Sequence, residues 1–370
     1  MSSQIIRVLV AGLVAVTAAL VPIAPARADV VRDRQWHLNY LDVFKAHQYS
    51  QGDGIVVAVV DSGVSPHPDL RDNLLPGTDI LPGGDGKGQR DRNGHGTAMA
   101  GLIAANGRNG GAFGIAPKAK ILPIHVPIPE NGQGDPDQTG AGIEWAIEQG
   151  ASVISLSRGG TSAPRLRTAI ETAIANDVVV VASAGNTPGP NYVDYPAAYP
   201  GVVAVSGVDR NGRHAKISVS GEEVTISAPS DDIVSTSKDG NYRIGTGTSS
   251  STAIVSGAAA LIRSRYPDLT AEEVIHRLTA TATDKGPPGH DPEYGHGIVN
   301  LVAALTADVP PLPQPTPTIN PTKITSTPTA QAIDRDGAGL PWGTIGCGIL
   351  TAIAVTIIGT AWHRSRRRTY

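Results

Sequence analysis

The 370-residue chain holds a single cysteine, Cys347, so no disulfide can form within it. Aromatic residues are equally scarce, at 4% with two phenylalanines, which excludes a core built on large rings. There is no surplus of positive charge: the formal net charge of −3 gives no electrostatic case for nucleic-acid binding. The ten histidines include no HExxH or other paired metal spacing, so neither a metal nor a cofactor is expected. What the chain has in quantity is glycine (43) and proline (29), the composition of tight turns and small-residue packing.

Both ends carry addressing signals. An apolar run from Val8 to Ile23 follows Arg7, and Ala26-Arg27-Ala28 has the small-x-small form of a cleavage site. Residues 1–28 read as a secretory signal; an uncleaved N-terminal membrane helix is the alternative. Near the other end, Trp342 to Trp362 contains no charged residue, a length that spans a bilayer core of about 30 Å. Arg364, Arg366, Arg367 and Arg368 follow directly. The positive-inside rule places residues 363–370 in the cytoplasm and the body outside. A buried core helix is the alternative reading of 342–362. The Pro/Thr-rich stretch 308–341 reads as an extended linker. Residues 29–53 form an N-terminal extension, and the globular domain runs over 54–307.

Within that domain, short apolar runs alternate with helix-like stretches. "GIVVAVV" (54–60), "ILPIHV" (121–126), "SVISLS" (152–157), "VVVVASA" (178–184) and "VVAVSGV" (202–208) predict strands. Most are continuously apolar, as in a sheet covered on both faces. "GTAMAGLIAA", "GAGIEWAIEQG" and "APRLRTAIETAIAND" predict the intervening helices. The order predicts an α/β, doubly wound, mostly parallel sheet with helices on both faces, plus one C-terminal transmembrane helix. In such sheets, function gathers at the carboxyl ends of the strands.

Four polar residues stand at such ends. Asp61 closes the first strong strand, where a turn aspartate is the ordinary reading. His95 lies between Gly94 and Gly96 at the start of a small-residue helix, a position where histidine is often incidental. Ser249 begins the run of small and apolar residues from Ala253 to Ile262, where a serine is most often an N-cap. Asn186 follows a strand end and Gly185; it is a turn residue or a neutral N–H donor for a developing oxyanion.

Together these four carry more than each alone. Asp, His and Ser occur in the chain order that the handful of known triad arrangements assigns to subtilisin. "VVDSGV", "GHGTAMAG", "ASAGN" and "GTSSSTAIVSGAAAL" resemble the four signature blocks of the subtilisin-like serine proteases (peptidase S8). The resemblance spans about Gly54 to Leu305. It implies a serine endopeptidase with Asp61, His95 and Ser249 as catalytic residues and Asn186 in the oxyanion hole. Ser249 is the nucleophile because it directly follows Gly-Thr; Ser250 and Ser251 are packing or surface hydroxyls. The resemblance also implies that Ser157, Arg158 and Gly159 pair with substrate, and that Asp194 lies near the floor of the first specificity pocket. An acidic floor favours a basic P1 side chain, whereas an Arg158–Asp194 ion pair would cancel that preference.

The layout of signal, short extension, protease body, Pro-rich linker and C-terminal anchor resembles that of the mycosins. These are membrane-anchored subtilisin-like proteases associated with type VII secretion. The implied partners are polypeptide substrates, a type VII secretion membrane complex and the membrane itself, with no nucleic acid. The implied location is the cell membrane, single-pass, with the catalytic domain extracytoplasmic. The alternative is a structural partner of the secretion complex with proteolysis dispensable; a carboxylesterase fits the peptide-pairing segment less well. Mycosins often carry disulfides in the body, and this chain has no cysteine there. Many subtilisins bind calcium partly through the aspartate of an "HPDL" turn, here Asp69. The adjoining loop "NGRNGGAFG" supplies no carboxylate, so no strong calcium site is expected.

Overall fold

A computed structural model describes residues 29–127 and 134–312. The expected signal (1–28), the transmembrane span (342–362), the basic tail and most of the linker lie outside these residues. Among the described residues, no helix is long and apolar enough to cross a membrane.

Seven strands form one sheet in the order β2-β3-β1-β4-β5-β6-β7. They are β1 (Val56–Asp61), β2 (Thr78–Asp79), β3 (Lys120–His125), β4 (Val153–Leu156), β5 (Val179–Ser183), β6 (Val203–Val208) and β7 (Val224–Pro229). Every pairing in this sheet is parallel. The five strands expected from continuous apolar runs are all present. Two short elements escaped that signal: β2 has only two residues, and β7 mixes polar with apolar residues. A separate antiparallel hairpin joins β8 (Ile233–Thr236) to β9 (Tyr242–Gly245).

Alternation along each strand feeds two cores. Val57 and Val59 of β1 face one hydrophobic cluster, while Ala58 and Val60 face the other. Val179 and Val181 of β5 divide from Val180 and Ala182 in the same way. That division explains why the strands read as unbroken apolar runs: neither face meets water. Helices α5 (Pro136–Glu148) and α6 (Pro164–Ala175) cover one face. Helices α4 (His95–Ala104), α7 (Thr248–Arg265), α8 (Ala271–Ala280) and α9 (Leu301–Thr306) cover the other. Helix α5 starts before the apolar pattern does, because Asp135 caps the N–H groups of Asp137 and Gln138 and Pro136 fits the first turn.

Strand β1 lies between β3 and β4, so the chain leaves it first to one side and later to the other. That reversal opens a crevice at the carboxyl end of β1, and Asp61 sits there.

The N-terminal extension is held to this body by buried polar contacts. It comprises α1 (Asp29–Asp33), α2 (Trp36–Tyr40) and α3 (Val43–Ala46). Gln35 donates to the carbonyls of Phe113 and Val234, each at 3.1 Å, and accepts from the Phe113 N–H at 2.8 Å. Trp36 Nε1 donates to the Asp231 carbonyl at 2.9 Å. Leu38, Val43 and Ala46 join the core beneath.

His37 of α2 is fully buried, and among the described residues neither ring nitrogen has a partner. Burial without compensation pushes its pKa down to about 3. The unfolded chain takes up a proton near pH 6.5, and the folded chain does not. Stability is therefore lost as pH falls from 6.5 towards 3, by up to about 1.4 kcal/mol per pH unit from this group. Urea unfolding at pH 7, 6 and 5 should show that decline, and His37→Leu should make it shallower. Equal slopes for the two proteins would contradict the assignment.

Candidate active site

Four elements bring Asp61, His95, Asn186 and Ser249 to one cleft. The cleft measures about 650 Å³, and His95, Asn186 and Ser249 line it together with Ser157, Arg158, Gly159 and Asp194. Asp61 stands behind His95, its side chain 1% exposed against 25% for the imidazole.

Asp61 is oriented by three contacts from two groups. Its Oδ1 lies 2.8 Å and its Oδ2 3.0 Å from His95 Nδ1, and Oδ1 also accepts the Ser62 N–H at 2.7 Å. Burial works against its charge. The His95 ring and the nearby Arg158 guanidinium outweigh that and hold the carboxyl below its ordinary value. Burial likewise pulls His95 down, but the Asp61 carboxylate prevails and raises the imidazole above the usual histidine range.

This approach depends on the glycine after the histidine. A Cβ at Gly96 would come within 2.2 Å of the Gly63 carbonyl oxygen and 3.1 Å of the Asp61 Cβ. Any other residue there would push α4, and His95 with it, away from β1. Asp91 secures the same helix start by accepting the N–H groups of Gly94 (2.8 Å) and Thr97 (2.9 Å). The Ser62 hydroxyl ties the β1 turn to this carboxylate at 2.9 Å.

Ser249 is in the first turn of α7, where backbone N–H groups lack intrahelical partners and the helix dipole favours negative charge. Its hydroxyl is 3.4 Å from the Ser157 carbonyl, and among the described residues it makes no hydrogen bond to His95. Such bonds are often long before substrate arrives. Gly247 precedes it at φ +147, a conformation that L side chains rarely adopt. The next two serines are not surface groups. Ser250 and Ser251 are both buried, and Ser251 donates to the carbonyls of Ala228 and Pro229.

Asn186 is aimed by a residue that sequence reasoning missed. Its Oδ1 accepts the Thr248 N–H at 2.9 Å and the Thr248 hydroxyl at 3.1 Å. With the oxygen held, the side-chain NH₂ makes no hydrogen bond among the described residues, and Asn186 lines the cleft with Ser249. The threonine of Gly-Thr-Ser was the available signal.

The substrate-side residues separate. Ser157 donates its hydroxyl to the Ser249 carbonyl at 3.1 Å. Arg158, 6% exposed, turns its guanidinium inward to the Val126 carbonyl (3.0 Å) and the Thr139 hydroxyl (3.3 Å). Among the described residues it makes no ion pair with Asp194. Asp194 lies against Gly159 and lines the same cleft; burial raises its pKa, partly offset by the Tyr195 N–H.

Asp69, the aspartate of the HPDL turn, is engaged by protein donors. Its Oδ2 accepts the Ala112 N–H at 2.8 Å and the Tyr242 hydroxyl at 2.9 Å. Both donors turn positive ends towards the carboxylate, the reverse of what a hard cation's neighbours must do.

The Asp61–His95 pair yields a direct expectation. The His95 midpoint followed by NMR should lie above 6.5, and in Asp61→Asn it should fall, because the main opposition to burial is then gone. An unchanged midpoint would show that the pair does not set the imidazole's charge.

Comparison with known proteins gives concordant matches. A model of the subtilase family matches residues 52–297. The thermostable alkaline protease of Halalkalibacterium halodurans is 39% identical over 277 residues, 74% of each chain. Among solved structures, MycP1 from Mycobacterium smegmatis superposes with a TM-score of 0.67 at 30% identity, covering 78% of this chain and 89% of that one. MycP3, a protease from the type VII (ESX-3) secretion system, gives a TM-score of 0.64 at 34% identity, covering 74% and 88%.

Proposed function

The chain belongs to the subtilase family and is a mycosin-like serine endopeptidase, and from that premise we propose that Asp61, His95 and Ser249 form its catalytic triad. The observation that carries this reading is the buried Asp61–His95 pair opening onto the cleft that Ser249 lines.

The proposed steps are these. His95 Nε2 accepts the Ser249 proton as the hydroxyl oxygen attacks the peptide carbonyl. Asp61 keeps the proton on Nδ1 and stabilises the imidazolium that forms. The Asn186 NH₂ and the Ser249 N–H receive the oxyanion. His95 then protonates the leaving amine, which departs and leaves an acyl-enzyme. Water, deprotonated by His95, hydrolyses that ester and restores Ser249.

Asp194 supports a preference for Lys or Arg at P1. It faces the cleft without an ion-pair partner among the described residues, and Arg158 is engaged elsewhere. A cationic side chain would restore the charge that burial opposes.

The proposal extends to location and domain layout. Residues 1–28 would direct export and be removed. The uncharged run 342–362, followed by arginines, would anchor the protease in the cell membrane, with the body outside and 363–370 in the cytoplasm. The linker 308–341 would carry the domain (54–307) and its extension (29–53) above the bilayer. The substrates would be polypeptides exported by a type VII secretion system, a context supported by the likeness to MycP1 and MycP3.

Two measurements test this. Asn186→Ala should lower kcat by about 10²–10³, and Ser249→Ala should abolish acyl-enzyme formation; an unchanged kcat in either variant refutes its role. Profiling on a peptide library should favour Lys and Arg at P1. Leu or Ala outrunning them would refute the reading of Asp194.

A further inference from the structure

One cation stands beside the reaction centre without a place in the mechanism above. Arg243 lies on β9, opposite Ser235 of β8. It lines the main cleft and also a smaller cavity of about 220 Å³. The smaller cavity shares His95, Asn186 and Ser249 with the main cleft but includes none of Ser157, Arg158, Gly159 or Asp194. Met99, Gly245 and Ser250 bound it instead.

That difference orients the cleft. A peptide bound at Ser249 places its acyl part on one side of the hydroxyl and its amine part on the other. The amine must lie within reach of His95 to be protonated. In the proposed reading, Ser157–Gly159 and Asp194, which line only the main cleft, take the acyl side. The smaller cavity, which adjoins His95 without those residues, is the leaving-group side.

Arg243 makes no ion pair with any described residue. Its charge is felt at His95, where it opposes protonation. An unneutralised guanidinium there works against the imidazolium that catalysis needs, so its neutralisation by substrate aids the reaction. Its backbone is also fixed. The neighbouring Tyr242 hydroxyl donates to Asp69, and His67 Nε2 lies 3.1 Å from the Asn241 carbonyl. His67 Nδ1 accepts the Asp69 N–H at 3.1 Å, so Nε2 carries the ring proton and donates.

We propose that Arg243 is a specificity residue for the leaving-group side, selecting an acidic side chain within the two residues that follow the scissile bond. A guanidinium receives a carboxylate through two parallel N–H···O bonds, which a neutral or cationic side chain does not supply. The inference rests on the proposed roles of Ser249 and His95. With Asp194 on the acyl side, the cleft presents opposite charges to the two sides of one peptide bond.

The test uses internally quenched peptides identical except at those two positions, which carry Glu, Gln or Lys. Active enzyme is counted by titration with a fluorophosphonate, so kcat/KM refers to competent sites in every variant. The wild type should cleave the Glu peptide about tenfold faster than the Lys peptide. The preference should shrink in high salt. Arg243→Gln should bring the two rates to within about twofold, Arg243→Glu should invert their order, and Arg243→Lys should keep it. A flat or Lys-favouring profile in the wild type, or an acidic preference that survives in Arg243→Gln, overturns the proposal. A wild type that cannot be titrated contradicts the Ser249 assignment itself, and the proposal falls with it.

Discussion

The contact between the Asp61 carboxylate and His95 Nδ1 is the constraint around which the rest of this domain is arranged. A carboxylate that is 1% exposed is tolerated only when its charge is met by hydrogen bonds and opposite charge. Three structural commitments satisfy it. The reversal of strand order at β1 opens the crevice. Gly96 lets α4 approach the strand tip. Arg158 adds a buried positive charge that lowers the Asp61 pKa. The last connects fold and chemistry, because Arg158 belongs to a segment that lines the cleft, yet its guanidinium turns inward and its charge acts on Asp61.

The same economy of parts governs the oxyanion side. Thr248 occupies the oxygen of Asn186 with both its N–H and its hydroxyl, which leaves the amide protons for substrate. In the oxyanion role proposed for Asn186, the donor is thereby aimed before the reaction begins, and such preorganisation is what gives an oxyanion donor its effect on the barrier. Gly247, in a conformation suited to glycine, makes the sharp turn that brings Thr248 and Ser249 to Asn186.

Much of this was legible in the sequence, for definable reasons. The parallel strands announced themselves as continuous apolar runs because both faces of the sheet are covered. Asp61, His95, Asn186 and Ser249 stood out as candidates because each sits at a strand or helix end, in a short block of small residues that resembles a subtilase signature. Other features were not. The direction of the Arg158 side chain depends on Val126 and Thr139, which are distant in the chain. Arg243 lies on a four-residue strand with no apolar signature, and its position comes from a hairpin fastened to the His67–Asp69 turn. The pinning of the extension by Gln35 and Trp36 likewise joins residues separated by 78 to 199 positions.

The central claim is that Ser249 becomes a nucleophile through an imidazole whose charge Asp61 controls. The most direct measurement is the rate at which a fluorophosphonate modifies the protein across pH, with the modified residue located by peptide mass spectrometry. The account predicts modification of Ser249 alone, with a rate that falls as pH drops through a midpoint above 6.5. It also predicts that the reaction is lost in His95→Ala. Modification of another residue, or of Ser249 at a rate unaffected by the loss of His95, would contradict it.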